Sequence, residues 1–98
     1  MLKKTYSRRG RVCRVTFEIP AQVEASTAHL CGDFNGWDKV SLPMERKEDG
    51  GFQLTIPIRP GRRYSFRYLL DGERWQNDWA ADSFAPNPFG TEDSVVEA

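Results

Sequence analysis

Ninety-eight residues with 39% apolar and 29% charged content and a formal net charge of zero describe one globular domain with a single core, not a disordered, fibrous or membrane-spanning chain. The balance of 14 Lys+Arg against 14 Asp+Glu removes the long-range attraction on which nucleic acids and acidic membrane surfaces draw, so neither is expected as a partner.

The chain opens on a basic cluster, Lys3, Lys4, Arg8, Arg9, Arg11 and Arg14, which reads as a partly ordered, solvated arm over residues 1–10 and the outer face of a first strand; residues 11–98 read as one domain. No apolar run follows the opening charges, so no signal peptide is expected and a cytoplasmic location is. Cys13, Val15, Phe17 and Ile19 then alternate with Arg14, Thr16 and Glu18, the pattern of a half-buried strand, and Pro20 ends it. A second strand over about Thr27 to Asp33 places Leu30 inward and Cys31 outward with His29. On that reading the two cysteines face opposite sides of one sheet, and both are expected as reduced thiols.

Gly32-Asp33-Phe34-Asn35-Gly36-Trp37 comes next. Its Asn-Gly pair predicts a tight turn with positive φ at both residues, and the Trp just beyond it is either a core-edge plug or a flat apolar face for a ligand. Val40 to Arg46, interrupted by Pro43, reads as a short edge strand. After the Asp49-Gly50-Gly51 turn, Phe52, Leu54, Ile56 and Ile58 alternate with polar partners and Pro57, and Pro60-Gly61 turns the chain back. Arg62 to Leu70 sets Tyr64, Phe66, Tyr68 and Leu70 against Arg63, Ser65, Arg67 and Leu69, closing at Asp71-Gly72 with Trp75 just past it. Residues 76–91 read as a long loop, with one helical turn around Trp79 to Ser83, before a last short strand at Ser94, Val95 and Val96. The sum is all-β: an antiparallel sandwich of about seven strands whose long loop suggests binding.

G-D-F-N-G-W at 32–37, Y-S-F-R-Y-L-L-D-G-E-R-W at 64–75 and F-G-T-E-D-S-V-V at 89–96 resemble the family 48 carbohydrate-binding modules. These include the glycogen-binding domain of the AMP-activated protein kinase β subunit and the early-set domains ahead of the catalytic barrel in isoamylases, pullulanases and branching enzymes. The resemblance implies an immunoglobulin-like (early-set) β-sandwich that binds α-1,4-linked glucans without catalysis. It implies stacking roles for Trp37 and Trp75, a basic strand position at Arg67, an apolar loop residue at Phe89 and hydroxyl-bonding positions at Thr91 and Asp93. Two departures stand out. Glu73 and Arg74 put two residues where the family commonly has one before the second Trp, which keeps Trp79 open as the alternative second indole, and Asp93 stands where the kinase modules have Asn.

The residues support this chemistry without the family name. The C–H faces of sugar rings suit indole planes, while neutral hydroxyls need a few donors and acceptors, here Arg67 and Asp93. Each residue also has a plain structural reading: Trp37 or Trp75 as core-edge filler, Arg67 as an outer-face strand residue, Phe89 as cover for the sandwich end. For catalysis there is little. His29 is the single histidine, no nucleophile elbow or metal-ligand spacing occurs, and a carboxylate pair such as Asp71 with Asp78 would need a shielding cleft. The expectation is a non-enzyme without cofactor or metal, with an α-glucan as ligand and a glycogen-metabolising enzyme as candidate partner. The alternatives are a protein-interaction module on the same sandwich, or an accessory acting in trans with an amylolytic enzyme.

Overall fold

The computed structural model describes residues 2–98, and the extended segments are Leu2–Tyr6 (β1), Cys13–Ile19 (β2), Ala28–Gly32 (β3), Glu45–Arg46 (β4), Phe52–Ile58 (β5), Arg63–Leu70 (β6), Arg74–Gln76 (β7), Ser83–Pro86 (β8) and Glu92–Glu97 (β9). They form two antiparallel sheets, ordered β1-β2-β5-β4 and β3-β6-β9-β8, with β7 paired to the far half of β6. This is an immunoglobulin-like sandwich, and period-two alternation is what builds it. On β2 the side chains of Cys13, Val15, Phe17 and Ile19 are buried while those between them are not. From the facing sheet come Leu30, Phe66, Tyr68, Leu70 and Val96. At the centre, Phe17 stands edge-on to Phe66 with centroids 5.0 Å apart and lies 5.7 Å from Phe34. Burying one such ring is worth about 1.5–3 kcal/mol.

Nine strands among the described residues replace the seven or so expected, and the differences have local causes. Leu2–Tyr6 is an edge strand in register with β2 from Leu2 opposite Phe17 to Tyr6 opposite Cys13, so this part of the basic segment is built into the sheet. Residues 79–83 contain no helical turn: β7 ends at Gln76 and β8 takes Ser83–Pro86 out of the expected loop, and Pro86 is tolerated because β8 is an edge. The Val40–Arg46 segment is a strap between sheets, not one edge strand. Leu42 and Met44 exchange backbone hydrogen bonds with Leu30 and Ala28 of β3, and then Glu45–Arg46 pairs with β5. Cys31 faces away from the main core as expected, yet it is fully buried, as is Leu69 at 3% exposure. Burial, reinforced by the nearby Asp38 carboxylate, pushes the Cys31 thiol up, and both cysteines are unbridged.

The Asp71-Gly72 turn is the tight type expected, with φ of 54° and 72° and Glu73 N donating to Leu70 O. The Asp71 carboxylate accepts from the backbone N–H groups of Thr27 and Ser26 and pairs with Arg74 at 2.9 Å. Those donors hold its carboxyl below the usual range, as Lys3 and then Lys47 do for Glu18. Both pKa values are depressed on folding, so the stability they contribute is present above the unfolded carboxylate values and lost as pH falls below about 4. Asp71→Asn is therefore expected to lower the thermal midpoint at neutral pH and to shrink the further drop on acidification, which a melting series across that range measures.

Candidate functional site

The loop after β3 is organised by two side chains. Asn35 Oδ1 accepts from Gly32 N, and its Nδ2 donates to Leu30 O, Asp38 O and Ser41 Oγ. Asp33 accepts from Trp37 Nε1 at 3.0 Å through one oxygen and from Ser65 N at 2.8 Å through the other, which ties the indole to β6. This corrects the expected turn. Asn35 lies in a 3₁₀ turn over Asp33–Asn35, and positive φ falls one residue later, at Gly36 (64°) and Trp37 (61°). The Asn35 amide is committed to local backbone groups that this conformation brings within reach. Left-handed backbone at a bulky residue is uncommon and persists only where its surroundings over-determine it. Here the ring nitrogen bond and Trp37 N donating to Gly32 O do so.

The second indole arrives across the sheet. Ser65, Arg67 and Leu69 share one face of β6, and Trp75 of β7 lies directly opposite Leu69. The extra residue before Trp75 is absorbed because Arg74 continues the ladder opposite Leu70. The rings of Trp37 and Trp75 meet edge to face, centroids 6.4 Å apart and planes inclined at 66°, with Lys39 Nζ 6.0 Å from the Trp75 centroid.

The remaining wall is the turn between β8 and β9, built around Asn87. Its Oδ1 accepts from Phe89 N and Thr91 N, and its Nδ2 donates to Thr91 Oγ1 at 2.7 Å and Asp93 Oδ1 at 3.0 Å. Arg67 reaches the same turn from β6: its Nη2 donates to Thr91 Oγ1 and Glu92 O, and Nε lies 2.9 Å from Asp93 Oδ1 as an ion-pair contact, not a well-aligned hydrogen bond. Phe89 is 90% exposed at the tip.

Together these groups line an open cleft of about 640 Å³, within the size range of small-molecule sites. Trp37, Trp75, Arg67, Phe89, Thr91 and Asp93 all border it; Trp79 does not. Sequence reasoning missed Asp33, Ser65 and Asn87, whose short polar side chains carry no periodic signal; the Pro-Asn-Pro run at 86–88 was the cue to a built turn. Asp71 and Asp78 are committed to separate partners, Asp71 at the surface and Asp78 buried, where it accepts from Tyr68 Oη at 2.8 Å. Asn87→Ala is expected to weaken ligand binding at the cleft by about tenfold through loss of the turn's order while moving the melting temperature little, because the turn lies outside the core. Calorimetric titration alongside thermal melting tests this.

A sandwich offering an open, aromatic-walled cleft with a pre-organised polar rim has the build of a binding module. The chain belongs to the carbohydrate-binding module 48 family (isoamylase N-terminal domain), whose model matches residues 10–85, so its class is a carbohydrate-binding module of a non-catalytic family. It is similar to the signal transduction protein MDG1 of Saccharomyces cerevisiae, 33% identical over 89 residues, covering 84% of this chain and 23% of that protein. It is also similar to the chloroplastic protein FLOURY ENDOSPERM 6 of Oryza sativa subsp. japonica, 43% identical over 54 residues, covering 55% of this chain and 10% of that one. This chain thus spans a small part of the length of these relatives. The family match stops before the 87–93 turn, so the fold itself brings that turn to the two indoles.

Proposed function

We propose that the cleft binds α-1,4-linked glucan chains of the glycogen or starch type, with Trp37 and Trp75 as stacking platforms and Asp93, Thr91 and Arg67 as the polar rim that Asn87 holds in place. The observation that carries this is the 66° inclination of two adjacent indoles. An α-1,4 chain turns from ring to ring, so successive rings present differently oriented faces, whereas a β-1,4 chain is a flat ribbon that suits coplanar platforms. The neutral net charge suits an uncharged polymer. Much of the rim is internally paired, so hydroxyls meet groups already held in place and little ordering cost remains. Phe89, exposed at the tip, supplies an apolar contact into the curve of the chain. A glycogen-metabolising enzyme is the partner such a module would serve.

The test is titration with maltoheptaose and with a cello-oligosaccharide of similar length, alongside glycogen co-sedimentation. Saturable binding of the α-linked sugar alone supports the reading; retention of neither maltoheptaose nor glycogen would sink it. Similarity over most of the chain to a signal transduction protein favours a second reading, a protein-docking module on the same sandwich. That reading predicts partner capture unchanged when Trp37 and Trp75 are both replaced by Ala.

A further inference from the structure

Trp79 is 63% exposed and faces a separate recess of about 690 Å³, bordered on its apolar side by Pro20 and Ala21 and on its polar side by Gln22, Lys47 and Asp49. None of its lining residues borders the first cleft. The backbone beneath the indole is pinned. Asp78 is buried, its N–H donates to Ser94 Oγ and its carboxylate accepts from Tyr68 Oη and Ala80 N, so Trp79 sits on a pinned turn and not on a free loop. The polar side is pre-organised too: Lys47 Nζ lies 3.4 Å from Glu18 Oε2 and 3.8 Å from Asp49 Oδ2, and Asp49 Oδ1 accepts from Gly51 N. An exposed indole on a pinned turn, beside an amide and the ionic groups of Glu18, Lys47 and Asp49, carries the same ingredients as the first cleft.

We infer that the Trp79 recess is a second α-glucan contact, resting on the reading of the first cleft and engaging another chain of the same branched polymer. An exposed indole held on a pinned turn has already met part of the ordering cost of stacking on a sugar ring. Two sites on separate surfaces of one domain bind a multi-chain particle more tightly than either binds a single chain, because the second contact forms at high effective concentration.

The test follows the three indole N–H signals by NMR, assigned through single Trp→Phe variants, during titration with maltoheptaose. The Trp37 and Trp75 signals are expected to move together and the Trp79 signal to move on its own curve, still doing so in Trp75→Ala. Trp79→Ala should lower glycogen retention by about tenfold while leaving the Trp75 titration unchanged. A Trp79 signal that stays still while the other two saturate, with Trp79→Ala retained on glycogen like the parent, overturns the second site alone. Immobility of all three signals refutes the glucan reading itself, and the second contact with it.

Discussion

Trp75→Ala is expected to weaken maltoheptaose binding by about 30-fold or more, the cost of roughly 2 kcal/mol that truncating a central aromatic anchor carries. The same change should leave the melting temperature within about 5 °C of the parent, because the Trp75 ring is 42% exposed and belongs to the short strand β7, not to the main core. That separation of affinity from stability is the signature of a ligand platform; a core-edge filler would lose both together. Trp37 is the less clean target. Its backbone is left-handed and its ring nitrogen holds Asp33, so Trp37→Ala changes the loop as well as the platform. Trp37→Phe keeps a ring, removes the Asp33 bond and should fall between the two.

Gly32→Ala is expected to destabilise the domain by about 3 kcal/mol, lowering the melting temperature by about 10 °C or more, and to abolish glucan binding at concentrations that saturate the parent. A Cβ on Gly32 would stand 2.6 Å from Ser65 O, 2.8 Å from the Phe34 ring and 2.9 Å from Phe66 Cβ. The first is backbone of the neighbouring strand and Phe66 is fully buried core, so neither yields cheaply, and the Phe34 ring, partly buried against the core, has to shift with them. The displaced groups are also those that seat Asp33, and through it Trp37. Gly36→Ala is the control. It has open space around the added atom but φ of +64°, so it should cost only about 1 kcal/mol of backbone strain. Thermal melting and calorimetry on the pair separate close packing from turn geometry.

The strands were legible because burial follows period two, which β2 and β5 obey closely, while β6 departs from it at its end, where Tyr68, Leu69 and Leu70 are all buried. The two indoles were legible for a related reason: large aromatics after turn signals in a small polar chain invite a question. What the sequence hid was the polar scaffolding. Asn35 looked like a turn residue in its own right and instead organises the loop through its side chain, while positive φ moved to Gly36 and Trp37. Asp33 bonds Ser65 across segments distant in the chain, a contact set by strand register that alternation within one strand does not reveal, while Asn87 organises its own turn through side-chain bonds that carry no periodic signal. The short strand β8 lay in a segment rich in Asn, Asp, Ala and Pro with little strand propensity, and tertiary pairing with β9 overrides it, while β7 is only three residues long and is set by its pairing with β6. Trp79 was open as an alternative platform because two residues precede Trp75. The ladder settles where Trp75 points and leaves Trp79 beside a different recess.

The most direct measurement is a crystal structure of the domain with maltoheptaose. Successive glucose rings are expected to lie against the Trp37 and Trp75 planes, turned relative to one another, with hydroxyls on Asp93 or Thr91. An oligosaccharide bound elsewhere while both of these indoles stay bare would contradict that arrangement.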